Sequence, residues 1–189
     1  IIHNSTLGYD HVESAVHYQG LPEAEGSIFI NGLYPAVRTK ITIDMQIKTN
    51  DDRLSYIRIN GPNLKLLVEE KWGNLYVRSY YQDSTNPATE NIEYVHLTGE
   101  DHPQGDLLRF QLTISTDCIA RTNVISVDGE EILTTPLHTR SQNDYLPNVF
   151  TAPYIYFTPR NGGEADDVVE MWLYSITQTI PVHEYVTPI

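Results

Sequence analysis

A chain of 189 residues, 40% of them hydrophobic, is long enough to bury the core of one domain without staples of disulfide or metal. Its formal charge of -13, with 12 Lys and Arg against 25 Asp and Glu, argues against nucleic acid as a partner, because phosphates must be neutralised by cations. No apolar run approaches the roughly 18 residues of a membrane span, so no membrane insertion is expected.

The chain opens on Ile1-Ile2-His3, which reads as one domain over residues 1–189, processed or excised from a larger protein. Asn4-Ser5-Thr6 is a glycosylation sequon, and it points to an extracellular or surface-exposed setting. The first clear element is Lys40 to Lys48, where Ile41, Ile43, Met45 and Ile47 alternate with polar residues. That period of two predicts a strand with one buried face.

Asn50-Asp51-Asp52, Asn60-Gly61-Pro62-Asn63 and Lys71-Trp72-Gly73-Asn74 carry turn chemistry and are expected to be hairpin connections. Between and after them, Leu64 to Val68, Leu75 to Gln82 and Ile92 to Leu97 read as strands. Asp83 to Asn91 and Thr139 to Thr151 lack periodicity and read as loops. Leu108 to Ser115 alternates strictly again, and Asp128-Gly129 between two apolar runs is the sharpest turn signal in the chain. The lone Cys118 has no basic helix terminus to activate it and reads as a small structural residue. Val168 to Thr177 closes the series. Ten to twelve short strands without a helix predict an all-β fold, a two-sheet antiparallel sandwich of jelly-roll type.

Thirteen tyrosines and two tryptophans are the main chemical feature, since aromatic rings stack on sugar C–H faces and keep a polar edge for hydroxyls. If Leu75, Val77, Ser79 and Tyr81 face the core, Tyr76, Arg78 and Tyr80 share the other face. Two rings around a guanidinium would suit an acidic sugar, against the plainer account of a solvated strand face. On the last strand, burying Val169, Met171 and Leu173 leaves Glu170, Trp172 and Tyr174 together. Val168 and Ile176 oppose that phase, because they lie in step with Trp172 and would bury it. Glu164, Asp166 and Asp167, beside Gly162-Gly163, form an oxygen-rich loop of the kind calcium prefers; a solvated acidic loop is the plainer account. The seven histidines match no zinc spacing, and the adjacent pairs Glu69-Glu70 and Glu130-Glu131 point to opposite strand faces.

The succession Leu107 to Ile114, then Val124-Ile125-Ser126-Val127-Asp128-Gly129, then Tyr154-Ile155-Tyr156-Phe157, then Asp167 to Ile176 resembles the C-terminal half of concanavalin A-like lectin/glucanase domains. In size and layout the chain is similar to the lectin-like domains of sialidases and to laminin-G-like modules. The resemblance implies the sandwich and a carbohydrate bias. The Glu-x-Asp-x-x-Glu run of the superfamily's glucanases and the Arg-rich and Gln-x-His motifs of its alginate lyases are absent. Three functions follow as expectations. The first is a non-enzymatic module binding a glycan or glycoprotein. The second is a polysaccharide hydrolase or lyase carried by Glu170 or a Tyr/His/Arg group. The third is a capsid, spike or adhesin domain that meets protein.

Overall fold

The computed structural model describes residues 5–10, 15–20, 28–34, 36–49, 56–61, 64–71, 74–82, 90–97, 107–137, 154–160 and 169–181. Seven strands make one sheet: β1 (Ser5–Asp10), β2 (Ala15–Gly20), β4 (Arg38–Thr49), β9 (Leu108–Asp117), β10 (Thr122–Val127), β11 (Glu130–Pro136) and β13 (Val169–Thr179). Their order across the sheet is β1-β2-β13-β4-β9-β10-β11. Six make the other: β3 (Ile28–Asn31), β5 (Tyr56–Gly61), β6 (Leu64–Lys71), β7 (Asn74–Gln82), β8 (Glu90–Leu97) and β12 (Tyr154–Arg160), ordered β3-β12-β5-β6-β7-β8. The pairings are antiparallel, as expected for a sandwich of hairpins and crossovers.

Alternation sets the core. Ile41, Ile43, Met45 and Ile47 of β4 are at most 2% exposed and face Ile57, Ile59, Leu66, Val68, Val77 and Phe157 of the opposite sheet in one apolar cluster. Each strand therefore presents its other residues on an outer face. The outer face of the six-stranded sheet is called the front here, and that of the seven-stranded sheet the back.

Two turns behave as the sequence predicts. Asp128 (φ 50°) and Gly129 (φ 86°) both take the left-handed backbone that a tight β10–β11 hairpin needs. Lys71 pairs with Asn74 across the β6–β7 turn. Asn50-Asp51-Asp52 differs: β4 ends in the seven-stranded sheet and β5 begins in the six-stranded one, so this link crosses between sheets and is no hairpin.

The conflict of phase on the last strand is settled by a bulge. Leu173 pairs with Met45, Ser175 with Asp44 and Ile176 with Ile43, so the register slips between Leu173 and Ser175. One extra residue lets Met171 and Leu173 face the core on one side of the bulge and Ile176 pack against it on the other. Trp172 and Tyr174 are thereby left on the back face.

Candidate functional site

The front face is built by β3, β12, β5, β6 and β7. On β5, Ile57 and Ile59 enter the core, which turns Tyr56, Arg58 and Asn60 outward. On β6 the outward set is Lys65, Leu67 and Glu69, on β7 Tyr76 and Arg78, and on β12 Tyr156 and Thr158. Register aligns them in rows: Thr158, Arg58, Leu67 and Arg78 stand side by side across four strands, with Tyr94 of β8 next in line. Phe29, Tyr156, Asn60 and Lys65 form the adjacent row.

Side chains turned away from a core are ordinarily solvated. Here Leu67 is 5% exposed, Asn60 and Glu69 6%, and Tyr56 7%. Polar groups sheltered to that degree need partners. Glu69 has one: the Nη2 of Arg78 lies 2.7 Å from each of its carboxylate oxygens, a diagonal contact between neighbouring strands. Arg78 thus carries a carboxylate from its own sheet, and the expectation of a guanidinium held open between two rings is corrected. Sequence spacing cannot show that Glu69 stands diagonally across from it. Tyr76 shares the face; the side chain of Tyr80 lies outside the described residues.

Arg58 is different. Its Nη2 donates to the hydroxyl of Tyr56 at 3.1 Å, and its guanidinium carbon sits 5.7 Å from the Tyr56 ring centre. Its Nε is buried and makes no hydrogen bond, as is true of the Arg78 Nε, but Arg58 has no ion pair among the described residues to set against this. At the edge of the same face Phe29, 60% exposed, stacks on Tyr156 with ring centres 5.1 Å apart.

The back face holds a second cluster. His17, Trp172, Gln46 and Arg109 form one row across β2, β13, β4 and β9. The His17 ring stacks on Trp172 at 4.4 Å and 7°, and its Nε2 lies 3.1 Å from a carboxylate oxygen of Glu170. Tyr174 donates its hydroxyl to Gln46 at 3.2 Å, and the Arg109 guanidinium lies 3.8 Å above the Tyr174 ring while bonded twice to Asp44, at 2.9 and 3.2 Å. Every charged group in this cluster has an internal counterpart. Glu170 stands opposite Lys48, four residues along β4 from Asp44, a backbone separation of about 13 Å at the rise of a strand.

No protein-family model matches the sequence, and no curated protein does. Solved structures do match in shape. The GH16 of the Bacteroides ovatus mixed linkage glucan PUL, in complex with a G4G4G3G product, aligns with TM-score 0.61 at 15% identity over 93% of this chain and 85% of its own. The alginate lyase AlgAT5 of polysaccharide lyase family 7 aligns with TM-score 0.56 at 13% identity over 95% of this chain and 84% of its own. Botulinum neurotoxin type C, whose cell entry depends on two ganglioside molecules, aligns with TM-score 0.55 at 13% identity, over 94% of this chain and 41% of that one. This is the concanavalin A-like jelly roll.

In a concanavalin A-like sandwich the two sheets turn their outer faces in opposite directions. Tyr76 and Arg78 lie on the front of this one, and Glu170, Trp172 and Tyr174 on the back, so the two stripes expected from the sequence do not meet in one concavity. Glu164, Asp166 and Asp167, the calcium expectation, lie outside the described residues, among which no group of three metal-ligating side chains occurs. Sequence reasoning passed over Arg58, Tyr156 and Phe29. The signal is in the sequence, because Ile57-Arg58-Ile59-Asn60 alternates as Lys40 to Lys48 does.

Proposed function

We propose that the chain is a glycan-binding module that takes saccharide on its front face, with an extracellular glycan or glycoprotein, acidic sugars included, as partner. One observation carries this reading. A solvent-side sheet face combines tyrosine rings, a primary amide and two guanidiniums, with several of these groups sheltered to 6–7% exposure. Rings offer stacking area, and recessed polar groups offer directed hydrogen bonds, which together make a saccharide seat. The shape neighbours support a carbohydrate partner, since they include a toxin that depends on gangliosides, a GH16 in complex with a G4G4G3G product and an alginate lyase. A broad glycan array, run with calcium and without, tests the reading. Binding of one class above background supports it, with weak single-site affinity raised by multivalent display; a blank array under both conditions refutes it.

A second reading is a polysaccharide lyase. Its support is the Tyr56 hydroxyl, 3.1 Å from the Arg58 guanidinium on the same face. A phenol beside a carboxylate-binding cation is what abstraction of a proton next to a uronate carboxylate requires. Absorbance of unsaturated uronates, followed over a panel of polyuronates, separates this reading from the first, because a module that only binds gives no signal.

A further inference from the structure

Glu69 is the one carboxylate among the described side chains of the front face, and it is taken up by Arg78. Arg58, on the same row two strands away, is diagonal to Glu69 from the other side but makes no ion pair with it or with any other acid among the described residues. Its one hydrogen bond goes to a neutral phenol, and its buried Nε goes to nothing. A guanidinium is always charged, and a half-buried one without a counter-charge loses much of its hydration for no electrostatic return. Among the described arginines Arg38 pairs with Asp117, Arg78 with Glu69 and Arg109 with Asp44, while Arg121, which makes no ion pair among the described residues, is exposed to solvent. In a chain of net charge -13 a carboxylate for Arg58 would be easy to supply, yet among the described residues its cross-strand neighbours are Thr158 and Leu67, with Tyr56 and Asn60 on either side along β5.

We infer that Arg58 is an anion receptor and that the saccharide carries a carboxylate or sulfate bound there. The inference rests on the front face being the saccharide site. In the structure as it stands the half-buried guanidinium rests against Tyr56. An incoming anion exchanges the weak contact to the phenol for a charge-assisted, two-point one. Thr158, directly opposite on β12, and Asn60, two residues along β5, add a hydroxyl and an amide to the same face. Phe29 stacked on Tyr156, one row further toward the sheet edge, offers a flat apolar surface to the next ring along the glycan.

The test uses the whole chain and its Arg58→Gln and Arg58→Lys variants on an array of carboxylated, sulfated and neutral oligosaccharides, with matched carboxyl-reduced counterparts. The parent should bind acidic members and lose them on carboxyl reduction. Arg58→Gln should weaken those members about ten- to a hundredfold, and Arg58→Lys should recover only part, since an ammonium keeps charge without the fork. Neutral binders only, or acidic binders indifferent to Arg58→Gln, overturn the inference and leave the saccharide reading standing; a blank array overturns both. Melting curves in sodium sulfate and sodium chloride at equal ionic strength give a readout without any sugar. The parent should gain more from sulfate than either variant does, and equal gains count against Arg58. If Arg58→Gln fails to fold, the same comparisons rest on Arg58→Lys.

Discussion

The side chain expected to grip a ligand also ties two strands of the sheet together. Arg78 and Glu69 have side chains 24% and 8% exposed, so removing the arginine strands a sheltered carboxylate. Arg78→Ala should therefore cost about 2–4 kcal/mol of stability, a little below the range for fully buried pairs. Adding Glu69→Gln should restore part of it, since an amide without charge tolerates shelter better. Urea denaturation of both singles and the double closes the cycle; additive losses would mean that the pair does not couple. Cys118 is 1% exposed, and burial, with Asp117 next to it, pushes its thiol above the ordinary range. A thiol reagent should label it only in denaturant, and rapid labelling of the native protein would contradict its placement.

At the scale of elements, strands were legible where one face is apolar without a break. β4 and β9 read directly, because strict alternation has one physical meaning. β1 and β2 did not: Ser5–Asp10 and Ala15–Gly20 carry small and polar residues in both phases, and β2 is held by pairing to β13 and by the His17–Trp172 stack, which sequence does not display. The bulge on β13 was equally hidden, since a one-residue slip is set by the neighbouring strand. Turn chemistry announced that the chain changes direction after Thr49 but could not say which sheet it enters next.

Two turns give element-scale tests. Gly129→Ala places a Cβ on a backbone of φ 86° and should cost about 1 kcal/mol, a fall in Tm of about 2–4 °C; an unchanged Tm would show the turn can relax. Asp128→Asn should cost little in backbone terms, because Asn also tolerates φ near 50° and keeps an acceptor for the Gln111 N–H, now 2.8 Å from the carboxylate. After β9, Asp117 accepts the N–H groups of Ile119 and Ala120 at 2.8 Å and pairs with Arg38. The Ala120 N–H first, then Arg38, hold its carboxyl below the ordinary 3.8. A folded pKa below the unfolded one gives stability that is full above the unfolded value and lost as pH falls through the folded value. The gap in Tm between parent and Asp117→Asn should thus be present at pH 6 and shrink below about pH 4.

For the whole molecule, two opposite faces each gather aromatic and charged groups, and they differ in what is left over. The back cluster pairs its charged and polar groups internally, His17 with Glu170, Arg109 with Asp44 and Tyr174 with Gln46. The front leaves Arg58 without an ion pair among the described residues and Phe29 open to solvent. Sequence made the sandwich legible, and even the two outward stripes, because both follow from alternation. It could not reveal that the stripes face apart or that Arg78 is neutralised, because both depend on which strands become neighbours.

The most direct measurement is amide chemical-shift mapping while an acidic oligosaccharide from the array is titrated in. The account predicts that the perturbed amides gather on β5, β6, β7 and β12, around Tyr56 to Asn60, Leu67 to Glu69, Tyr76 to Arg78 and Tyr156 to Thr158, and that Arg58→Gln abolishes most of the response. Perturbations gathered instead on β13, β4 and β9, around Glu170 to Tyr174, Asp44 to Lys48 and Arg109, would contradict it.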